Sequence, residues 1–153
     1  MRPSLFASIL ALSLAAAGVA AAASIEVKDA WIRSTGPGAP TAAGYATIVN
    51  HDFTSDRLTG ADTRVAASVQ LHHMSTAGGI MRMRPIAGGL AMAGSATLRL
   101  TPNGDHFMLI APKGPLKAGT HVKVTLEFQR AGRVAADFVV RDAAPGGVAG
   151  MHM

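Results

Sequence analysis

Short stretches of alternating apolar and polar residues, separated by glycine and proline, make up most of the chain after its first two dozen residues. Val122, Val124, Leu126 and Phe128 alternate with polar neighbours, and residues 43–50 alternate in the same way. This period is typical of strands with one buried face. Turn residues recur at intervals of roughly ten residues, and no stretch has the period of an amphipathic helix. The pattern predicts an all-β fold, an antiparallel Greek-key β-sandwich of about eight or nine strands.

Two turns predict which strands are joined as hairpins. Pro102-Asn103-Gly104 contains an Asn-Gly pair, which tolerates positive φ and commonly connects two antiparallel strands. We therefore expect a hairpin between residues 95–100 and 106–111. Ala131-Gly132 predicts a second hairpin, between residues 121–129 and 134–141.

The N-terminus has the layout of a secretory signal peptide. Arg2 is followed by the apolar run Leu5–Leu14 and then by Ala21-Ala22-Ala23 before Ser24. The alternative, a membrane anchor, is disfavoured because the strongly apolar run is short for a span of about 20 residues. We expect a cleaved signal peptide over 1–23, one domain over 24–143 and a flexible tail over 144–153. The signal peptide predicts a periplasmic protein.

Composition narrows the class of protein. The chain has no cysteine, which excludes a thiolate-ligated copper or zinc site formed by its own residues. Its net charge is +5, but the basic residues are scattered and aromatic residues are few, unlike a nucleic-acid-binding surface. No paired acid and base or activated nucleophile is apparent, so we do not expect an enzyme. We expect a monomer that binds no nucleic acid.

Methionine and histidine are concentrated between residues 72 and 108. A single Met is usually core filler, so the clustering carries the argument. In a strand, the side chains of His106 and Met108 point to the same side, so an imidazole and a thioether can face one ion. Thioether sulfur favours Cu(I), and this pair of donors includes no carboxylate. The residues therefore predict a copper(I) site.

Several segments together resemble the periplasmic copper chaperones of the PCuAC family. These segments are Asp29-Ala30-Trp31-Ile32-Arg33, Ala42-Ala43-Gly44-Tyr45, Val69-Gln70-Leu71-His72, Gly79-Ile80-Met81-Arg82-Met83-Arg84 and Leu100 to Leu109. The resemblance covers nearly the whole mature chain and implies a cupredoxin-like fold. It also implies that the Cu(I) ligands are His72, Met83, His106 and Met108. Ten residues separate His72 from Met83, as in the family, and twenty-two separate Met83 from His106, one more than the family pattern.

Other donors remain open as ligands or are expected elsewhere. Met81 lies two residues from Met83 and could share its face, whereas His73 should point away from His72. Met74 lies beside them. Met92 is expected in the core or a loop, and His51 and His121 at the surface. The tail Met151-His152-Met153 could form a weak second site or could simply be the chain end.

The resemblance further implies delivery of Cu(I) to the cysteine-ligated dinuclear copper domain of a haem–copper cytochrome c oxidase, alongside a membrane-anchored thiol chaperone. Three alternatives stay open. One is a copper resistance or storage protein with the same site. The others are a copper enzyme, which would need an open coordination position, and an adhesive or assembly domain that binds no metal.

Overall fold

The computed structural model describes residues 24–142, which form ten strands. The expected signal peptide over 1–23, residue 143 and the tail over 144–153 lie outside the described residues. The strands are β1 (Ile25–Arg33), β2 (Thr41–Asn50), β3 (Asp56–Thr63), β4 (Ala66–Ala77), β5 (Ile80–Pro85), β6 (Leu90–Met92), β7 (Thr97–Leu100), β8 (Asp105–Pro112), β9 (His121–Phe128) and β10 (Gly132–Arg141).

Seven of the strands close into a barrel-like sheet. The order β4-β8-β2-β1-β10-β9-β3 returns to β4 through the pairing of Ala61 with Val69. β5 extends this sheet along the outer part of β4, and β6 pairs with the first part of β3. The all-β, cupredoxin-like prediction is confirmed, with ten strands in place of eight or nine. The additional strand is the three-residue β6, which the alternation pattern did not predict.

Two details of the pairing differ from the expectation. β1 and β10 are parallel, with Trp31 beside Val139, so the sheet is not wholly antiparallel. The hairpin expected at Pro102-Asn103-Gly104 is absent. β7 and β8 instead run in the same direction along one edge of β2, where Leu100 is opposite Ala46 and Phe107 is opposite Gly44. The turn residues therefore form a loop between two consecutive edge segments. The second expected hairpin, β9–β10, is present.

The interior of the barrel is apolar because one face of each long strand carries its large residues inward. Ile32, Ile48, Leu126 and Phe138 are buried and belong to one hydrophobic cluster. Phe107 meets Phe138 edge to face, with ring centroids 6.0 Å apart. Burial of such side chains stabilises the fold by about 1.5–3 kcal/mol each before the entropic cost is counted.

A second group of buried side chains lies on the outer face of the same sheet. Trp31, Tyr45, His106 and Met108 are each at most 5% exposed, yet none belongs to the interior cluster. His106 and Met108 flank Phe107, which points inward, so they point outward. Trp31 is directly opposite Tyr45, and their ring centroids are 4.7 Å apart. This outer cluster shapes the floor of the candidate site. Between residues 24 and 142 there is no helix that is long and apolar enough to cross a membrane.

Candidate metal centre

Two imidazoles meet on the outer face, where β4 and β8 run side by side. His72 is directly opposite His106 in this antiparallel pair, and their ring centroids are 6.0 Å apart. Their neighbours Leu71 and Phe107 are also paired and point into the core. The alternation of each strand therefore fixes both imidazoles on the same side of the sheet.

Each ring already uses one nitrogen in a hydrogen bond. The Nδ1–H of His106 donates to the carbonyl of Gly104 over 3.0 Å, because a carbonyl can only accept. This leaves the lone pair on Nε2 of His106. His72 donates its Nε2–H to Oε1 of Gln70 over 2.9 Å, which leaves the lone pair on Nδ1. Hydrogen bonds of this kind select the tautomer and orient the ring of a metal-binding histidine.

The Nδ1 atom of His72 is buried and has no hydrogen-bond partner. A buried polar atom without a partner costs about 1–3 kcal/mol, so it calls for an explanation. A metal ion would satisfy its lone pair. The donor chemistry at this point therefore fits a bound cation.

Burial and the neighbouring ring keep His72 unprotonated. Desolvation is the larger cause that lowers the pKa of His72 below its ordinary value of 6.5, and repulsion from His106 lowers it further. A neutral imidazole is the form that can bind a metal. At neutral pH the His72 ring is therefore prepared to act as a ligand.

His106 is held in place by the backbone and by aromatic packing. The Gly104 carbonyl also accepts the Met74 N–H over 3.2 Å, so one oxygen ties the loop to β4 and to the His106 ring. The Tyr45 ring centroid is 6.0 Å from that of His106. Burial raises the pKa of Tyr45, which keeps its phenol neutral. Tyr45 and Trp31 thus form an uncharged wall behind the imidazole.

The two predicted methionine ligands approach this pair from different sides. Met108 is opposite Gln70 on β4 and is only 5% exposed. Met83 is opposite Met74 and is 51% exposed. Two residues after Met83, Pro85 pairs with His72, so Met83 lies diagonally from that histidine on the same face. All four predicted ligands therefore share one face of β5-β4-β8.

The remaining donors lie in different surroundings. His73 points to the other face, where its Nδ1 is 2.6 Å from Oδ1 of Asp105. Met92 belongs to the hydrophobic core. His51 and His121 are exposed and pair with Glu26 and Asp137. Met74 and Met81 lie on the same face as Met83, opposite Met83 and Thr76 respectively. Met151-His152-Met153 lies outside the described residues.

The geometry adds residues to which the sequence assigned no role in the site. Gln70 stands two positions before His72, and that spacing alone places it on the same strand face. Tyr45 and Trp31 are outward-facing residues of β2 and β1 and could be recognised only once β8 was known to pair with β2. Within residues 24–142 no group of three or more His, Cys, Asp or Glu side chains is arranged to hold a metal. A metal here would depend on thioethers.

Comparisons with known proteins give a matching family model and a relative that is similar in sequence. A family model described as "Putative lipoprotein LpqE-like" matches residues 25–140. The protein "Putative lipoprotein Lxx21020" of Leifsonia xyli is 34% identical over 104 residues, which are 68% of this chain and 61% of that protein. The matched segment thus spans less than two thirds of that relative's length.

Solved structures of copper-binding domains share the fold. The copper-bound PCuAC domain from PmoF2 superposes with a TM-score of 0.65 at 25% identity, covering 80% of this chain and 94% of that domain. Apo-DR1885 from Deinococcus radiodurans gives a TM-score of 0.60 at 26% identity over 94% of this chain and 93% of its own. The Cu(I) form of DR1885 gives 0.60 at 29% identity, over 78% of this chain and 81% of its own. The similarity supports a copper-binding domain of the PCuAC type.

Proposed function

We propose that this chain, which belongs to the LpqE-like lipoprotein family, is an exported copper chaperone. In this proposal it binds one Cu(I) through His72, Met83, His106 and Met108 and delivers the ion to the copper centre of a respiratory cytochrome c oxidase. The observation that carries the proposal is the pair of facing imidazoles, in which the buried Nδ1 of His72 has no partner. The similarity to the copper-bound PCuAC domain from PmoF2 and to the Cu(I) form of DR1885 supports the choice of metal.

The ligand set suits carriage of Cu(I). Two thioethers and two neutral imidazoles are soft or intermediate donors without charge, and they match a soft monovalent ion. His106 and Met108 are buried and His72 is partly buried, whereas Met83 is half exposed on β5. The ion can therefore be held securely and still be reached from one side.

Release requires an acceptor with stronger ligands. A pair of cysteine thiolates binds Cu(I) more tightly than thioether and imidazole do, so transfer to a cysteine-ligated dinuclear copper domain is downhill. No change of oxidation state is needed, because Cu(I) leaves with the charge it had. A membrane-anchored thiol chaperone would be a second acceptor or donor of the same chemistry. We place this exchange in the periplasm, with residues 1–23 acting as a cleaved signal peptide.

Conservative substitutions at the thioethers test the proposed ligands. We expect Met83→Leu and Met108→Leu to weaken Cu(I) binding by about tenfold or more, a loss of about 1.4 kcal/mol each. Leucine has a similar volume to methionine, so the fold should be nearly unchanged. Met92→Leu in the core is the matched control and should leave the affinity for Cu(I) as it is. Unchanged affinity in both site variants would show that the ligand set is wrong.

Delivery is tested by copper transfer. The Cu(I)-loaded chain is mixed under anaerobic conditions with the reduced, metal-free, soluble copper domain of a cytochrome c oxidase, and the copper content of each separated protein is measured. We expect the ion to move to the oxidase domain, and to stay on the carrier when the domain's cysteines are replaced by serine. Retention of Cu(I) by the carrier in the presence of the intact domain would argue for the storage alternative.

A further inference from the structure

Exposed apolar side chains are concentrated on one short edge strand. Within residues 24–142 the large hydrophobic residues that are exposed are Phe53, Ile80, Met81 and Met83, and the last three lie on β5. Met81 is 63% exposed. Charged residues and proline protect natural edge strands from unwanted pairing, and β5 has these residue types in Arg82, Arg84 and Pro85, so its exposed thioethers point to a role other than strand pairing. Two exposed thioethers beside the candidate site therefore suggest a binding role.

The strand register adds a third thioether to these two. Met74 on β4 is directly opposite Met83, and Thr76 is directly opposite Met81. Paired residues lie on the same face with Cβ atoms about 4.5–5.5 Å apart, and residues two positions along lie about 7–8 Å away. Met74, Met81 and Met83 thus form a group of three, here called the outer thioethers, on the face that also carries His72.

The chemistry around the outer thioethers selects a soft ion. Residues 74–85 contain no Asp, Glu, Cys or His, so sulfur is the only soft side-chain donor in this hairpin. Arg82 pairs with Ser75 and Arg84 pairs with His73, which places both guanidinium groups on the opposite face. A group of thioethers without carboxylate or imidazole favours Cu(I) over zinc or calcium.

We propose that Met74, Met81 and Met83 form an outer Cu(I) site through which the ion enters and leaves the inner His72–His106 centre. The inference rests on the proposed function, because it gives that centre its route to solvent. Met83 belongs to both sites. Cu(I) moves inward as the thioethers of Met74 and Met81 dissociate and His72, His106 and Met108 bind; it moves outward by the reverse exchange. Each step exchanges neutral ligands and transfers no electron.

The two sites differ in the way that such a route requires. The outer thioethers are exposed or half-buried and lack imidazole, so they should bind Cu(I) more weakly than the inner centre. They are also the part of the route that a thiolate acceptor can touch first. Replacing Met74 and Met81 should therefore slow exchange while leaving the equilibrium affinity of the inner centre nearly unchanged.

Silver provides the first test, because Ag(I) is soft and monovalent like Cu(I) and is not oxidised. The mature chain is labelled with ¹³C at its methionine methyl groups and titrated with Ag(I). In the wild type we expect the first equivalent to shift the methyls of Met83 and Met108, and the second to shift those of Met74 and Met81 and to move that of Met83 again, because it belongs to both sites. In His72→Gln, which impairs the inner centre, one equivalent should shift the outer thioethers together. The buried methyl of Met92 should stay in place in every sample.

Exchange kinetics provide the second test. We expect Met74→Leu/Met81→Leu to hold Cu(I) with an affinity within about threefold of wild type and to release it about tenfold more slowly to a bathocuproine chelator. Leucine keeps the apolar surface of methionine, so a rate of Cu(I) release that depended only on hydrophobic contact would be unchanged in this variant. Met92→Leu is the control for methionine loss as such.

The outcomes separate the two proposals. If Met74 and Met81 never respond to Ag(I), or if the double variant exchanges Cu(I) at the wild-type rate, the proposal of an outer site is wrong. The proposal of the inner centre is unaffected by that result. If the outer thioethers bind Ag(I) while the methyl group of Met108 never responds, the outer site stands as a metal site and the proposed ligand set fails. A shift of Met81 and Met83 without Met74 would also overturn the three-thioether site.

Discussion

At the scale of single residues, the candidate centre depends on which nitrogen of each imidazole is left free. His106 gives Nδ1–H to the Gly104 carbonyl, and His72 gives Nε2–H to Gln70. The two rings therefore offer different atoms, Nε2 and Nδ1, to a common ion. The sequence shows both histidines, but it contains no information on the tautomers, because these follow from partners on the loop before β8 and two positions earlier on β4.

Gln70 should therefore act as a positioning residue for His72. We expect Gln70→Leu to weaken Cu(I) binding by about tenfold, at the lower end of the range for partners that orient metal ligands, because this side chain is exposed. Gln70→Glu keeps an acceptor oxygen and should retain most of the affinity. The tautomer of His72, measured by ¹⁵N NMR of the imidazole, should become mixed in the leucine variant only. A single unchanged tautomer in all three proteins would contradict this role.

The lowered pKa of His72 makes a prediction about the metal-free protein. Desolvation and His106 together depress this pKa below 6.5 in the folded state. Below pH 6.5 the unfolded chain then binds more protons at this position, so stability falls as the pH drops towards the folded-state pKa. We expect the His72 ring to titrate below 6.5 by NMR. Replacing His106 by alanine should raise the value only in part, because desolvation is the larger cause, and a complete return to 6.5 would contradict the assignment.

At the scale of strands, the loop between β7 and β8 places the centre. Thr101 and Asp105 close this loop with an N–H to carbonyl hydrogen bond of 3.0 Å, and Gly104 projects its carbonyl towards His106. Because β7 and β8 share one edge of β2, the chain leaves and rejoins the same edge beside Tyr45. The loop therefore places His106 at the start of β8 and also provides the carbonyl that accepts the hydrogen bond from its Nδ1.

Alternation was enough to predict most strands, but not how they associate. The spans of β2, β9 and β10 follow from their residue periods, and these periods also placed Tyr45 opposite in direction to Ala46 and Ile48. The Asn-Gly turn predicted a hairpin that is absent from the structure. The local chemistry of the turn is the same whether β8 pairs with β7 or, as here, both strands pair with β2. The parallel pairing of β1 with β10 joins distant segments and leaves no local pattern. The predicted ligands came from resemblance, and the register has now placed them on one face.

Two adjacent glycines allow backbone strain and steric overlap to be separated. Gly88 and Gly89 both have φ of +79°, but a Cβ on Gly88 would meet nothing within 4 Å, whereas one on Gly89 would lie 2.2 Å from the Leu58 carbonyl oxygen. We expect Gly88→Ala to cost about 1–2 kcal/mol from its backbone conformation alone. Gly89→Ala should cost about 1–3 kcal/mol more, because β3 must move. Equal losses in urea unfolding would show that the segment before β6 is not packed against β3 as described.

At the scale of the whole molecule, the well-packed strands of the candidate site are distinct from the exposed strand at which an ion can be exchanged. The interior cluster fixes β4 and β8 from one side, and Trp31, Tyr45, His106 and Met108 cover the other. β5 stands at the end of the sheet, and all six of its residues are exposed. A partly buried centre beside an exposed, thioether-bearing strand is the arrangement expected of a carrier, which must bind an ion and also release it. The basic net charge of +5 would favour approach to an acidic acceptor.

The most direct test of the central claim is a Cu(I) competition titration of the mature chain under anaerobic, reducing conditions. We expect one tightly bound Cu(I) per chain, its loss in His106→Ala, and its retention in His73→Ala, whose imidazole pairs with Asp105 on the other face. The fluorescence of Trp31 and the unfolding midpoint would establish that each variant is folded. Absence of tight binding in the wild type, or equal affinity in a folded His106→Ala variant, would contradict the account of this domain as a copper carrier.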